Sequence, residues 1–296
     1  MRSGFVALAG RPNAGKSTLI NALVGEKVAI VSEKAQTTRS EIRGIYTDHD
    51  CQIVFTDTPG IHKPQDRLGA RMNKESKDVM QGVDVIYLVV DGSVPYASGD
   101  EFVLNMVKSA GLPVFLIMNK IDKLPKEKIL QNLMSWQERF SFAEYFPLSA
   151  KFDRSFEALV ETTASYLPEG GLLYPEAMIT DGAENFRIAE IIREKVLMCT
   201  EQEVPHASAV RVEHKEFTDK GCEIQAVILV EKPGQKGIMI GKGGTMLKKI
   251  GSMARKDIEK LLDTHVYLSL FVRIEEEWRS KDARITEYGY GGAFRE

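Results

Sequence analysis

At 296 residues the chain is too long for one small domain and fits two, and 43% hydrophobic with 27% charged residues excludes a disordered, fibrous or membrane-embedded class. A net charge of −3 excludes a protein that is basic throughout, yet residues 232–260 hold eight basic side chains against two acidic ones, an asymmetry that suits a polyanionic partner. Three scattered cysteines (Cys51, Cys199, Cys222) fit neither a disulfide framework nor a zinc knuckle, and no apolar run nears the roughly 18 residues that cross a bilayer, so a reducing cytoplasm is the expected location.

In chain order, residues 5–9, 52–56, 83–90 and 113–118 form apolar, β-branched runs with hard punctuation at their ends, the pattern of buried strands. Helical spacing lies between them, as at Leu19 and Leu23 and at Phe102, Met106 and Val107. Strands alternating with helices predict a mostly parallel sheet covered on both faces, with ligands along the edge where the strands end. This α/β domain is expected over residues 1–168. Residues 169–184, with Gly170, Gly171, Pro175 and Gly182, are expected to be a linker. A second domain over 185–280 follows a different order. Ile188, Ile191, Ile192 and Val196 give a helix, and 207–212 and 223–231 give strands. Met246, Leu247, Ile250, Met253, Ala254, Ile258 and Leu261 mark a long helix, and 266–274 gives a last strand. Residues 281–296 are expected to be a flexible tail, and Glu275 to Glu277 with Trp278 a solvated strand end.

The first strand runs into Gly10-Arg11-Pro12-Asn13-Ala14-Gly15-Lys16-Ser17, the pattern G-x-x-x-x-G-K-[ST], and a helix opens there with Thr18. Glycines turn backbone N–H groups inward around phosphates, and the helix N-terminus adds its positive end. Lys16 reaches the terminal phosphates as a point charge, and the Ser17 hydroxyl suits Mg²⁺. Asp57-Thr58-Pro59-Gly60 ends a second strand, offering a carboxylate for the same metal and a glycine N–H for the γ-phosphate. Asn119-Lys120-Ile121-Asp122 ends another. Asp122 can accept both the ring N–H and the exocyclic amine of guanine, and a buried carboxylate left unpaired by adenine is costly. Ser149-Ala150-Lys151 would then offer backbone N–H to the guanine carbonyl oxygen. Four such motifs in this order predict a site for GTP and GDP.

Lys34-Ala35-Gln36-Thr37-Thr38-Arg39 resembles switch I of the Era branch of translation-factor-related GTPases. With the later motifs, the resemblance covers nearly the whole chain. It implies a P-loop GTPase domain with a mostly parallel sheet, followed by a smaller α+β KH domain of type II. It also implies that Thr38 closes on Mg²⁺ and the γ-phosphate, with Thr37 the alternative. The catalytic set is then Lys16, Thr38, Gly60 and Asn13, and the metal set Ser17, Thr38 and Asp57. Ile61 stands where Ras-like enzymes carry the glutamine that orients water, and a branched hydrocarbon cannot do that. Asn13 resembles the asparagine that holds K⁺ near the phosphates in this branch, where a monovalent cation can offset developing charge; simple loop geometry is the other account of it.

Ile238-Met239-Ile240-Gly241-Lys242-Gly243-Gly244 precedes the long basic helix. A G-x-x-G loop there resembles the KH module, which clamps about four nucleotides of single-stranded backbone. Lys242, Lys248 and Lys249 supply charge, and Ile238 and Ile240 offer apolar support to bases. By resemblance the partners are small-subunit ribosomal RNA and the 30S subunit, whose assembly the protein assists; DNA is not expected. The alternative is a membrane-surface switch whose basic helix meets anionic lipid or a protein partner, peripheral on the cytoplasmic face.

Overall fold

The computed structural model describes residues 1–34, 37–64 and 66–290. Ala35 and Gln36 of the switch-like segment, and Gly291 and Gly292 of the tail, lie outside the described residues. The chain forms two compact units, whose main division falls between Asp181 and Gly182.

The first unit is built on a six-stranded sheet of order β2-β3-β1-β4-β5-β6. Its strands are β1 (Arg2–Ala9), β2 (Ile42–Thr47), β3 (Cys51–Asp57), β4 (Val85–Asp91), β5 (Val114–Asn119) and β6 (Glu144–Pro147). All neighbours pair in parallel except β2, which runs antiparallel to β3. β3 and β5 are buried along their whole length, as strands must be when helices cover both faces. The helices are α1 (Lys16–Val24), α2 (Arg67–Gln81), α3 (Ser98–Lys108), α4 (Lys126–Gln137) and α5 (Glu157–Tyr166). On one face Ile86, Leu88 and Leu116 meet Val103, Leu104 and Val107 of α3 and Trp136 of α4. Because the strands are parallel, β1, β3, β4, β5 and β6 all end on one edge, so the loops after them gather there.

Residues 169–181 do not hang free. The Gln52 side chain, fully buried on β3, accepts the N–H groups of Leu173 and Tyr174 at 2.7 and 2.9 Å and donates to the Tyr174 carbonyl at 3.0 Å. Farther along, Ile45 N–H donates to Ile179 O, and Arg43 pairs with Asp181 at 3.0 Å. The expected linker is therefore a strap laid on the first unit.

The second unit holds a three-stranded sheet of order β7-β8-β9, comprising β7 (Ala209–Thr218), β8 (Gly221–Val230) and β9 (Val266–Ile274). β7 and β8 are antiparallel, and β8 and β9 parallel. α6 (Glu184–Cys199), α7 (Pro233–Ile240) and α8 (Thr245–Leu262) bury Ile188, Ile192, Met239, Ile250 and Ile258 against Ile224, Ala226 and Ile228.

The segment before the G-x-x-G is a helix, α7. Gln235 organises its start by accepting the N–H groups of Glu231 and Lys232 at 2.9 and 3.0 Å. Trp278 is not at a solvated strand end. It is fully buried, its indole N–H donates to Ala207 O at 2.9 Å, and Tyr288 and Tyr290 pack around it. The tail accordingly folds back over residues 281–290, with a short helix α9 (Asp282–Glu287) whose Glu287 pairs with Arg211 of β7.

Candidate active site and nucleic-acid surface

The loop after β1 turns through Asn13 and Gly15, both with positive φ (64° and 99°), and hands over to α1 at Lys16. Glycine is required at 15 twice over: a Cβ there would also lie 2.1 Å from Asn119 Nδ2. Gly60 is confined by close approach alone, since a Cβ would meet the Pro12 backbone at 2.8 Å. Gly10 and Ala14 are buried, and Thr18 lies half-buried on α1. The Lys16 side chain is buried, and its ammonium makes long contacts of 3.3 and 3.4 Å to the carbonyls of Gly10 and Arg11. Burial lowers its pKa, with the nearby Asp57 carboxylate opposing that shift.

Asp57 comes off β3 fully buried. Its Oδ2 accepts the Ser17 hydroxyl at 2.6 Å and the Thr38 hydroxyl at 3.1 Å, and those two hydroxyls are 2.9 Å apart. Burial pushes the Asp57 carboxyl up, against Lys16, Ser17 and Thr38, which pull it down. Thr37 turns away, donating to Lys34 O at 2.6 Å. The geometry thus separates two threonines that the sequence leaves as alternatives.

At the ends of β5 and β6, Asn119 ties three loops together. Its amide donates to Ala14 O at 2.9 Å, and its Oδ1 accepts the N–H groups of Lys120 and Ala150 at 2.8 and 2.9 Å. Lys120 reaches across to Asn13 O at 2.6 Å. The Ser149 hydroxyl donates to Asp122 Oδ1 at 2.6 Å, which fixes the carboxylate. Asp122 is exposed rather than buried, so its desolvation cost belongs only to a state in which a base covers it. The loop 149–151 also differs from expectation: the Ser149 N–H goes to Asp153 Oδ2 at 2.8 Å and the Ala150 N–H to Asn119, so both already have acceptors within the chain. Lys151 is exposed, and its ammonium lies over the Phe152 ring.

In the second unit, Gly241, Gly243 and Gly244 have φ of 73°, 59° and 80°, which makes the junction of α7 and α8 a left-handed turn. A Cβ at Gly241 would come within 2.8 Å of Met246, whereas Gly243 and Gly244 face open space. Gly244 caps α8, whose first turn carries no acidic residue. Lys242, Lys248 and Lys249 are exposed, Ile238 is half exposed, and Ile240 is half-buried. The structure therefore brings an open helix N-terminus, exposed lysines and an apolar side chain to one turn.

Residues 5–120 match the family described as 50S ribosome-binding GTPase, and residues 203–279 match the KH domain. The chain is 47% identical to the GTPase Era of Clostridium kluyveri, over 98% of its own length and 99% of the relative's. It is likewise 47% identical to that of Halothermothrix orenii, with the same coverage. The chain belongs to the Era family of GTPases. Two solved Era structures are each 38% identical over 98% of this chain and 99% of theirs. One is an Aquifex aeolicus Era variant bound to GDP·AlF4⁻, with a TM-score of 0.94. The other is an Era in complex with MgGDPNP and nucleotides 1506–1542 of 16S ribosomal RNA, with a TM-score of 0.95.

As an Era-family GTPase the chain hydrolyses GTP, and Ile61 shows how this site departs from a Ras-like one. Its side chain is fully buried in the core beside Ala9 and Ile86, and its N–H donates to Gly10 O at 3.1 Å. It serves packing. Three side chains around the site escape the motifs: Asp153 holds the Ser149 N–H, Asp91 meets Lys120, and Glu75 of α2 accepts the Glu41 N–H beside the switch segment at 2.8 Å. Only Asp91, a carboxylate closing an apolar run, leaves a signal in the sequence.

Proposed function

We propose that the chain is a GTP-driven switch in small-subunit ribosome assembly, whose KH unit binds single-stranded RNA near the 3′ end of the small-subunit rRNA. The observation that carries it is the convergence of Ser17, Thr38 and Asp57 oxygens, 2.6 to 3.1 Å apart, at the mouth of the glycine-rich loop. These are hard oxygen donors suited to Mg²⁺. The second Asp57 oxygen, Oδ1, is buried with no hydrogen-bond partner among the described residues, as expected of a carboxylate that serves an ion. Ser17 and Thr38 would hold the metal directly and Asp57 through water. The ion would supply positive charge to offset the negative charge developing on the phosphates.

The chain's own groups do the rest. Gly10, Ala14, Gly15 and Thr18 line the phosphate loop, Lys16 brings its ammonium to the terminal phosphates, and the Gly60 N–H senses the γ-phosphate. Asp122 selects guanine, with Asn119, Lys120, Ser149, Ala150 and Lys151 shaping its pocket. No side chain at position 61 orients water. The Asn13 amide N–H donates to the Glu33 carbonyl at 2.6 Å, so its Oδ1 is the oxygen that would hold K⁺, and potassium-stimulated turnover rests on the likeness of Asn13 to the asparagine of this branch. Gly241, Lys242, Gly243 and Gly244 would receive the RNA backbone, Lys248 and Lys249 its charge, and Ile238 and Ile240 its bases. The solved relative bound to 16S rRNA supports this half. On this reading the protein works in the cytoplasm without a DNA partner. A membrane contact, the alternative for the basic helix, would be peripheral; no described helix is long and apolar enough to cross a bilayer.

The test is GTP turnover in matched KCl and NaCl buffers, with and without Mg²⁺ and a short RNA of the small-subunit 3′ end. Loss of turnover without Mg²⁺ and faster turnover in K⁺ are expected. Equal rates in K⁺ and Na⁺ would remove the potassium role, and turnover that persists without Mg²⁺ would remove the metal site.

A further inference from the structure

β4 and β5 run parallel with Asp91 opposite Asn119, and the Gly92 N–H donates to Asn119 O at 2.8 Å. That register sets the Asp91 carboxylate beside the Asn119-Lys120 corner. Each of its oxygens has a separate task. Oδ1 accepts the Ser93 N–H at 2.9 Å and the Ser93 hydroxyl at 2.5 Å, which locks the carboxylate in place. Oδ2 accepts the Lys120 ammonium at 2.6 Å, and the same ammonium donates to Asn13 O at 2.6 Å. Burial alone would raise the Asp91 pKa, but hydrogen bonds from Lys120 and Ser93 outweigh it and hold the carboxyl below its ordinary value.

Both ends of this contact lie in left-handed backbone, Lys120 at φ 63° and Asn13 at 64°; asparagine adopts that conformation readily, whereas a lysine holds it at a cost its surroundings must offset. Asn13 then points its side chain at Glu33 O, 2.6 Å away in the segment leading to Thr38. A lysine head on a four-carbon stem has several staggered rotamers to lose. Two fixed acceptors, one of them charged, select the rotamer that bridges the loops.

We propose that Asp91 is a positioning residue for nucleotide retention: its carboxylate anchors Lys120 across the phosphate loop and thereby holds Asn13, and the loop with it, closed on the nucleotide. Asp91 acts through Lys120 rather than on the ligand. The proposal rests on the nucleotide site assigned above. Without the carboxylate, Lys120 keeps only a neutral carbonyl. Its side chain is already 24% exposed, so water competes for the ammonium and the loop loses its clasp.

The experiment is the chase of a fluorescent GDP from the full-length chain, in wild type, Asp91→Asn, Lys120→Ala and the double variant, with thermal melts confirming the fold. Asp91→Asn keeps the shape and an acceptor for Ser93 but removes the charge, and should release GDP about tenfold faster. Lys120→Ala should release at least as fast. On the Lys120→Ala background the Asp91→Asn effect should fall below about twofold, because its only route to the nucleotide is gone. A carboxylate that merely supports its own turn would show the same factor on both backgrounds, and that result overturns the proposal. So does wild-type release from Asp91→Asn when Lys120→Ala is fast. Unchanged release from Lys120→Ala would instead overturn the nucleotide-site reading beneath it. Asp91→Glu, which keeps the charge, should lie nearer wild type than Asp91→Asn; the reverse order also overturns the proposal.

Discussion

Thr37 and Thr38 are chemically identical neighbours whose hydroxyls find different partners. Thr38 meets Ser17 and Asp57, whereas Thr37 closes a local turn onto Lys34 O. Thr38→Ala should therefore lower GTP turnover roughly tenfold to a hundredfold, and Thr37→Ala should stay within about twofold. A steady-state phosphate-release assay separates them. Glu75 allows a pH test at the same scale. Burial pushes its carboxyl from an ordinary 4.5 up to about 7, with the Glu41 N–H and Arg71 pulling it down and the Glu41 and Asp78 charges pushing the same way as burial. A pKa raised in the folded state contributes stability that is complete below about pH 4.5 and lost as pH rises through about 7. Glu75→Gln keeps the acceptor for Glu41 and cannot ionise. It should gain about 2 kcal/mol over wild type between pH 5 and pH 8 in urea melts. Parallel stability curves for the two proteins would contradict the assignment.

At the scale of elements, one side chain, Gln52, makes three of the contacts that hold the strap over residues 169–181. Gln52→Ala removes an acceptor shared by two strap N–H groups and a donor to Tyr174 O, at a cost of about 3 kcal/mol. Hydrogen exchange should then accelerate at the Leu173 and Tyr174 amides. Trp278→Ala empties the largest fully buried side chain and should cost about 3 to 5 kcal/mol in thermal or urea unfolding. Neither role is visible in sequence, because both partners are remote: Gln52 lies 121 residues from Leu173, and Trp278 lies 71 from Ala207. What is legible is local. Buried parallel strands are unbroken apolar runs, so β1, β3, β4 and β5 stand out, and the nucleotide motifs sit at their ends. β2 hides because IRGIYT mixes a charge and a glycine into an edge strand. α7 hides because Gly234 and Gly237 lower helix propensity, which burial of Met239 then overrides, while Pro233 stands at the first helical position, where proline is tolerated. The threonine assignment, the Ser149 and Ala150 acceptors and the exposure of Asp122 also depend on contacts that no spacing encodes.

At the scale of the molecule, the phosphate loop belongs to one unit and the glycine turn at α8 to the other, with Asp181 and Gly182 at the division. Coupling between two sites is a free energy and is reciprocal: the factor by which GTP changes RNA affinity must equal the factor by which RNA changes GTP affinity. A switch therefore needs both sites intact and unequal binding in the two nucleotide states. The most direct measurement is fluorescence anisotropy of a short single-stranded RNA from the small-subunit 3′ end, titrated with the full chain in its GTP-analogue and GDP states. The Gly241→Asp, Gly244→Asp double variant is measured beside it. Each aspartate adds charge and a side chain at a positive-φ glycine, so the backbone site is lost while the nucleotide site is untouched. The predicted result is tight binding that differs at least fivefold between nucleotide states, the lower end of typical coupling, and disappears in the variant. Binding that ignores the nucleotide, or survives both substitutions, would contradict the account.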